Sequence, residues 1–137
     1  MTTNETSWHV GFKGLSDVKA AWAYVYEGNE GEPVRLVRGS FRDGFYEEGT
    51  ERSLGYRVIC WTDAADRPSF DQAAVRALLG GIEQVVEYEQ SVAFATENWL
   101  HRQALEAVVY GNPEAIEIAQ LALGSHHIEI NRYYGAY

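Results

Sequence analysis

The spacing of apolar residues changes halfway along this chain of 137 residues. Around Trp22, Tyr24 and Tyr26 it has a period of two, which is typical of a half-buried β-strand. After residue 69 it has the three- and four-residue spacing of an amphipathic helix. A chain that begins with strands and continues with helices is predicted to form an α+β (mixed α/β) fold.

The first half of the sequence contains several strand candidates separated by polar segments. The candidates are residues 8–12, 20–28, 33–41 and 53–63, the last centred on 57–61. Residues 28–33 are rich in Gly and Glu and are predicted to form a hairpin loop, and residues 42–53 are predicted to form a longer loop. Because such loops join neighbouring strands, we expect an antiparallel meander of three or four strands.

The second half begins with a helix, for which Ser69 is a suitable N-terminal cap. Its apolar stripe comprises Val75, Leu78, Leu79, Ile82 and Val86. The pair Gly80-Gly81 would weaken this helix by about 1 kcal/mol per glycine relative to alanine. The pair therefore indicates either close packing against a neighbour or an early end to the helix.

The rest of the second half alternates between predicted strands and helices. Residues 91–96 are predicted to form a buried strand that leads into a helix over 97–110, with Glu97 where the two meet. Asn112-Pro113 indicates the start of another helix, Gly124 its end, and residues 126–134 a last strand. The order α-β-α-α-β after the meander predicts one mixed sheet covered by helices, in a single domain spanning 1–137.

The charge of the chain restricts its partners. The net charge is −9, and the one basic cluster comprises Arg35, Arg38 and Arg42. Direct binding to a nucleic-acid backbone is therefore not expected, since it requires a basic surface. The acidity permits binding to a basic nucleic-acid-binding protein, although it also serves solubility alone.

With no apolar run long enough to span a membrane, no visible signal peptide and one cysteine, Cys60, we expect a cytoplasmic protein without membrane contact.

Five stretches, in this order along the chain, are similar to segments of one known fold. They are HVGFKGLSD, AAWAYVYEG, SFDQAAVRALLGGIEQV, SVAFATENWL and AIEIAQLALGSHHIEINRYYGAY. Together they resemble the ribonuclease H-like fold, with an enlarged segment around residues 41–68. The resemblance implies a nuclease ancestor in which clustered carboxylates hold two Mg²⁺ ions.

The metal-binding carboxylates that the resemblance implies are largely missing. Lys13 stands where the first strand of the family supplies an aspartate, and Glu97 is the acidic residue at the second position. Ala74, Val75 and Arg76 stand where a helical glutamate is expected, and the chain ends where a last acidic segment would follow. A lysine about 4 Å from a divalent ion would oppose it by roughly 8 kcal/mol at an effective dielectric of 20. We therefore expect a non-catalytic protein with no metal or cofactor, in which Lys13 and Glu97 form an ion pair as the remnant of the site.

Two other kinds of site remain open at this stage. A divergent Mg²⁺-dependent nuclease would have to use Glu97, Asp71 and Asp17. His101 lies four residues after Glu97 and could share a metal with it, although no third ligand is visible and a structural histidine is the simpler interpretation. His126 and His127 are adjacent, so on a strand their side chains would point to opposite faces.

Carboxylates and tyrosines in predicted loops and at the chain end suggest an interaction surface. These residues are Glu30, Glu32, Tyr46, Glu47, Glu48, Glu87, Tyr88, Glu89, Tyr133 and Tyr134. The leading interpretation is a small acidic protein that acts through protein contacts, as an inhibitor of a nucleic-acid-processing enzyme or nucleoprotein complex of the kind that phages and mobile elements carry. A structural homodimeric module is the alternative.

Overall fold

The computed structural model describes residues 7–27, 33–50 and 52–130. Five strands, β1 to β5, form one sheet, and three helices, α1 to α3, follow them along the chain. The strands are β1 His9–Val10, β2 Ala21–Tyr26, β3 Val34–Phe41, β4 Phe45–Glu47 and β5 Val58–Thr62. The helices are α1 Gln72–Val85, α2 Gln90–Val109 and α3 Ala115–Leu123. The predicted α+β class is confirmed.

The strands lie in the order β1-β5-β2-β3-β4, and each neighbouring pair is antiparallel. The predicted hairpin pairs β2 with β3, with Tyr24 opposite Leu36. On the other side of β2, Tyr24 lies opposite Cys60 and Val25 opposite Val58, so that Ile59 is an extra residue in β5. An extra residue of this kind is a β-bulge, which locally increases the twist of the sheet.

The alternation in β2 directs its side chains into two separate cores. Tyr24 packs in the larger core, between the sheet and the helices, while Val25 packs in a smaller core on the opposite face. The smaller core also contains Phe45 and Leu54, which belong to the segment around residues 41–68. This segment therefore covers the face of the sheet that the helices leave open.

The first helix begins at a different cap from the predicted one. Asp71 is its N-terminal cap, and the Asp71 carboxylate accepts a hydrogen bond of 3.0 Å from the amide of Ala74. Ser69 lies two residues too early to reach the exposed amides of the first turn. The prediction of Ser69 as the cap was therefore wrong.

The glycine pair in α1 lies where the helix touches the sheet. A β-carbon on Gly80 would stand 2.9 Å from Val10 Cγ2, and one on Gly81 would stand 2.7 Å from the carbonyl oxygen of Ile59. The helix continues past both residues to Val85. Of the two predicted explanations, close packing is confirmed.

The predicted strand over residues 91–96 is wrong, because these residues lie in the first part of α2. Val92, Ala93, Thr96, Glu97 and Leu100 are buried, and their spacing of one, three and four residues defines one face of a helix. The alternation of Val92, Phe94 and Thr96 misled the prediction because a short apolar run fits either period. With this strand absent, the described sheet has no parallel pairing, and the predicted mixed sheet is not found there.

The predicted helix start at Asn112 and end at Gly124 are close to the observed bounds of α3. The Asn112 side chain accepts a hydrogen bond from the amide of Glu114, at 2.9 Å, and the helix follows from Ala115. A short 3₁₀ turn, Gly124–His127, occupies the start of the predicted last strand, and residues 128–130 are not in a strand. The remainder of that prediction, residues 131–134, lies outside the described residues.

Candidate interaction surface

Glu97, where the sequence predicted a strand to meet a helix, is a buried residue within α2. Glu97 is 2% exposed, whereas Lys13 is exposed in the loop after β1. Lys13 forms no ion pair with any described residue, and its backbone carbonyl accepts a hydrogen bond from Trp61 Nε1 at 3.2 Å. The expected pairing of Lys13 and Glu97 relied on two adjacent strands, and that premise fails because Glu97 lies on α2.

The three carboxylates of the nuclease alternative lie on three different elements. Asp71 caps α1, Asp17 is exposed in the short 3₁₀ turn Leu15–Asp17, and Glu97 is buried in α2. Within residues 7–27, 33–50 and 52–130, no three His, Cys, Asp or Glu side chains are placed to hold a metal ion.

His101 joins helix α2 to the end of helix α3. Its Nε2 atom lies 2.8 Å from Ser125 Oγ and 3.1 Å from the carbonyl oxygen of Ala122. The His126 ring lies 5.9 Å from the His101 ring, centroid to centroid. His101 therefore has a structural position between the two helices.

Cys60 is fully buried in β5, and this burial raises the pKa of its thiol well above the usual range, as expected of an unreactive cysteine.

Part of the predicted acidic surface is neutralised by arginines. Glu47 lies 2.8 Å from an Arg35 nitrogen, and Glu48 lies 3.2 Å from Arg38. Tyr46 donates a hydrogen bond to Asp43, and its ring lies 3.9 Å beneath the Arg42 guanidinium. These contacts leave less free negative charge at the β3–β4 hairpin than the sequence indicates.

Glu27 is the centre of the strongest ion-pair network in the described residues. Its side chain is 2% exposed and lies 2.7 Å from Arg35 and 3.2 Å from Arg52. The hydrogen bond from Arg35 holds the pKa of Glu27 below its usual range, against the opposing effect of burial. The network connects the ends of β2 and β3 with the loop after β4, which is a structural role.

The other members of the predicted surface divide into two groups. Glu87, Tyr88 and Glu89 are exposed in the connection between α1 and α2. Glu30, Glu32, Tyr133 and Tyr134 lie outside the described residues.

Helices α2 and α3 form an antiparallel hairpin. The contacts of His101 place it level with Ala122 and Ser125, at the far end of α3. The connection at Gly111 has a φ angle of +72°, which favours glycine, and the Asn112 amide donates to the carbonyl of Ala107. Because the two helices are antiparallel, Val109 lies level with the beginning of α3.

Six large apolar side chains of this hairpin are exposed, and together we call them the α2–α3 apolar surface. Their exposed fractions range from 56% to 80%. They are Leu105, Val108, Val109, Tyr110, Ile116 and Leu123. Six such residues within about twenty positions are more than the scattered apolar side chains of an ordinary surface.

The sequence contained a signal for this surface that the prediction did not use. Residues 104–123 hold more apolar residues than one core-facing stripe requires, since a typical surface helix is polar on its outer side. Ala104, Ala107, Ile118 and Ala122 already fill the buried side of the hairpin. The large apolar residues between them therefore face outward.

Acidic residues flank the α2–α3 apolar surface along the chain, and one of them, Glu114, accepts hydrogen bonds from Gln72 at the start of α1. Glu106, Glu114, Glu117 and Glu129 lie between residues 102 and 130, where Arg102 is the one lysine or arginine. Arg102 lies 3.8 Å from Glu106, one turn along the helix. The surface thus combines exposed apolar side chains with a negatively charged margin.

Comparisons with models of protein families, with curated proteins and with solved structures find no match. Among the described residues, none of the helices has both the length and the apolar character needed to cross a membrane.

Proposed function

We propose that this chain acts through protein contacts and that the α2–α3 apolar surface is its binding site. The observation that carries the proposal is the set of six exposed apolar side chains on one helical hairpin. Exposed apolar residues rimmed by polar ones are characteristic of protein-binding sites. The partner would bury Leu105, Val108 and Val109 at the centre of the contact, because hot-spot residues lie in the desolvated middle of an interface.

The charge around this surface favours a basic partner over a second copy of the chain. In a symmetric dimer the same surface faces itself, so Glu106 and Glu117 would meet a second set of carboxylates. Like charges brought together cost free energy, whereas a basic rim on a different protein would attract them. The homodimeric module is therefore the less favourable alternative.

A basic partner fits the narrower proposal made from the sequence. Proteins that process or package nucleic acid carry basic surfaces, and an acidic protein can compete with nucleic acid for them. We accordingly propose an inhibitor of a nucleic-acid-processing enzyme or nucleoprotein complex, of the kind that phages and mobile elements carry. The ribonuclease H-like resemblance stays a prediction, although residues 92–97, which contributed to it, are helical.

Site-specific photo-crosslinking in the native host tests the location of the contact. A photoreactive phenylalanine analogue is placed at Val109, and a matched one at Glu83, which is exposed on α1. We expect a specific cross-linked protein from position 109 and none from position 83. Cross-links of equal yield from both positions, or from position 83 alone, would contradict the proposal.

A further inference from the structure

A cleft of about 840 Å³ is lined by residues of the sheet, of α1 and of the start of α2. The glycine pair holds α1 against β1 and β5, and Gly81 itself belongs to the lining. Clefts that bind small molecules usually have volumes of roughly 300–1,000 Å³. The size of this cleft therefore suits a small organic ligand.

The inner wall of the cleft is apolar. It is formed by Val58 and Ile59 of β5, Val85 of α1 and Val92 of α2. These side chains are mostly buried, so a ligand inside the cleft would meet hydrocarbon on several sides. Such a wall favours an apolar ligand body of the size of a medium-length alkyl chain or an aromatic ring system.

Aromatic side chains form part of the rim and support one another. Phe12 and Tyr56 line the cleft, and their ring centroids are 5.0 Å apart. Phe41 lies behind them, 6.3 Å from Phe12 and 5.7 Å from Tyr56. Phe12 and Tyr56 are exposed despite these contacts. The rim therefore presents a preformed apolar edge to solvent.

The charged side chains that line the cleft differ in whether they already have an ion-pair partner. Lys13 and Arg57 line the cleft, both are exposed, and neither pairs with a described carboxylate. Glu27 also lines the cleft but is held by Arg35 and Arg52, and Arg57 adds to the positive potential around it. Glu89 is an exposed carboxylate of the same lining. The cations at the Phe12–Tyr56 rim are thus available to a ligand.

From this combination we propose that the cleft binds a small amphipathic anion. Its apolar body lies against Val58, Val85 and Val92, and its anionic group lies near Lys13 and Arg57. This site is separate from the α2–α3 apolar surface, and the proposal does not depend on the protein contact described above.

Chemical-shift mapping with sodium decanoate, below its micelle concentration, tests the proposal on the full chain. We expect the amide signals of Gly11, Gly81 and Val92 to shift with saturation, and those of Leu105 and Val109 to stay in place. Decyltrimethylammonium has the same chain and the opposite charge, and we expect it to bind at least tenfold more weakly. Shifts confined to residues 105–123, equal binding of the two amphiphiles or no binding of decanoate would overturn the proposal.

Charge-reversal variants identify the groups that select the anion. The double variant Lys13→Glu/Arg57→Glu is expected to bind decanoate about tenfold more weakly, since each exposed charge contributes modestly. Lys19→Glu changes the net charge by as much as either single reversal does, and Lys19 is exposed and does not line the cleft. It should alter the affinity less than twofold. An equal loss in the Lys19 variant would indicate general charge repulsion and contradict the assigned site.

Discussion

Gly81 of α1 lies directly against Ile59 of β5, so closely that a β-carbon at Gly81 would overlap the Ile59 side chain and stand 2.7 Å from its carbonyl oxygen. This contact fixes the distance between the helix and the sheet at the position of the β-bulge. Gly81 and Ile59 also both line the cleft, so this contact forms part of its wall.

Replacing Gly81 with alanine should therefore destabilise the fold. We expect Gly81→Ala to lower the free energy of unfolding by about 1–3 kcal/mol, the usual cost of overpacking a core. Gly124→Ala is the matched control, because no atom lies within 4 Å of a β-carbon there and its φ is −60°. Urea denaturation measures both, and an equal effect of the two substitutions would contradict the assigned role of Gly81.

The capping assignment distinguishes Asp71 from Ser69. Asp71→Ala removes the acceptor for the Ala74 amide and should cost about 1 kcal/mol of stability. Ser69→Ala should change stability by less than about 0.5 kcal/mol, as is usual for surface positions without a special contact. Thermal and urea unfolding of the two variants compare them, and a larger loss for Ser69→Ala would favour the cap predicted from the sequence.

The Glu27 network predicts a loss of stability in acid. Because the pKa of Glu27 is lowered by folding, its contribution is fully present above the pKa of the unfolded carboxyl, near 4.5. The contribution is lost as the pH falls through the lower pKa of the folded state.

Glu27→Gln should cost about 1–3 kcal/mol at neutral pH, within the range for a hydrogen bond between charged groups, and less at low pH. Glu48→Gln is the control, because Glu48 is largely exposed in its pair with Arg38. Urea denaturation of the variants at pH values between about 3 and 7, in steps of about one unit, measures how the loss of stability depends on pH. A Glu27→Gln deficit that stays constant over this range would exclude the ionised carboxylate as its cause.

His101 should stabilise the α2–α3 hairpin. His101→Leu leaves Ser125 Oγ and the Ala122 carbonyl without this partner, and we expect a loss of about 1–2 kcal/mol. His127→Leu, at an exposed position in the 3₁₀ turn, should have little effect. Hydrogen exchange at the amides of α3 provides the measurement, and unchanged protection in the His101 variant would contradict the role.

Local patterns predicted β1, β2, β3 and β5 and the approximate extents of α1 and α3, but β4 lies in the segment 42–53 that was predicted to be a loop. The alternation at Trp22, Tyr24 and Tyr26 and the helical spacing of α1 depend on neighbouring residues alone, so they can be read from the sequence. The strand predicted over residues 91–96 failed because the choice between strand and helix there depends on tertiary contacts. Ala93 and Leu100 are buried together along one side of α2, which a window of six residues does not reveal.

The candidate surface was harder to predict than the fold. Carboxylates such as Glu47 and Glu48 looked available in sequence, but arginines of β3 lie beside them in space. Conversely, Leu105 and Val109 are apolar residues of α2, and the packing of α2 against α3 shows that they face outward. Exposure is a property of the assembled elements, so the excess of apolar residues over 104–123 signals an exposed apolar surface but does not identify the side chains that form it.

The most direct test of the protein-contact proposal uses the partner that cross-linking at position 109 identifies. It measures the affinity of that partner for two charge variants of this chain. The double variant Leu105→Asp/Val109→Asp should bind about thirtyfold more weakly or worse, because it places charge at the centre of the contact. Tyr88→Asp, at an exposed tyrosine of the surface predicted from the sequence, should bind like the unmodified chain. Unchanged affinity of the double variant, or a loss confined to Tyr88→Asp, would contradict the proposal.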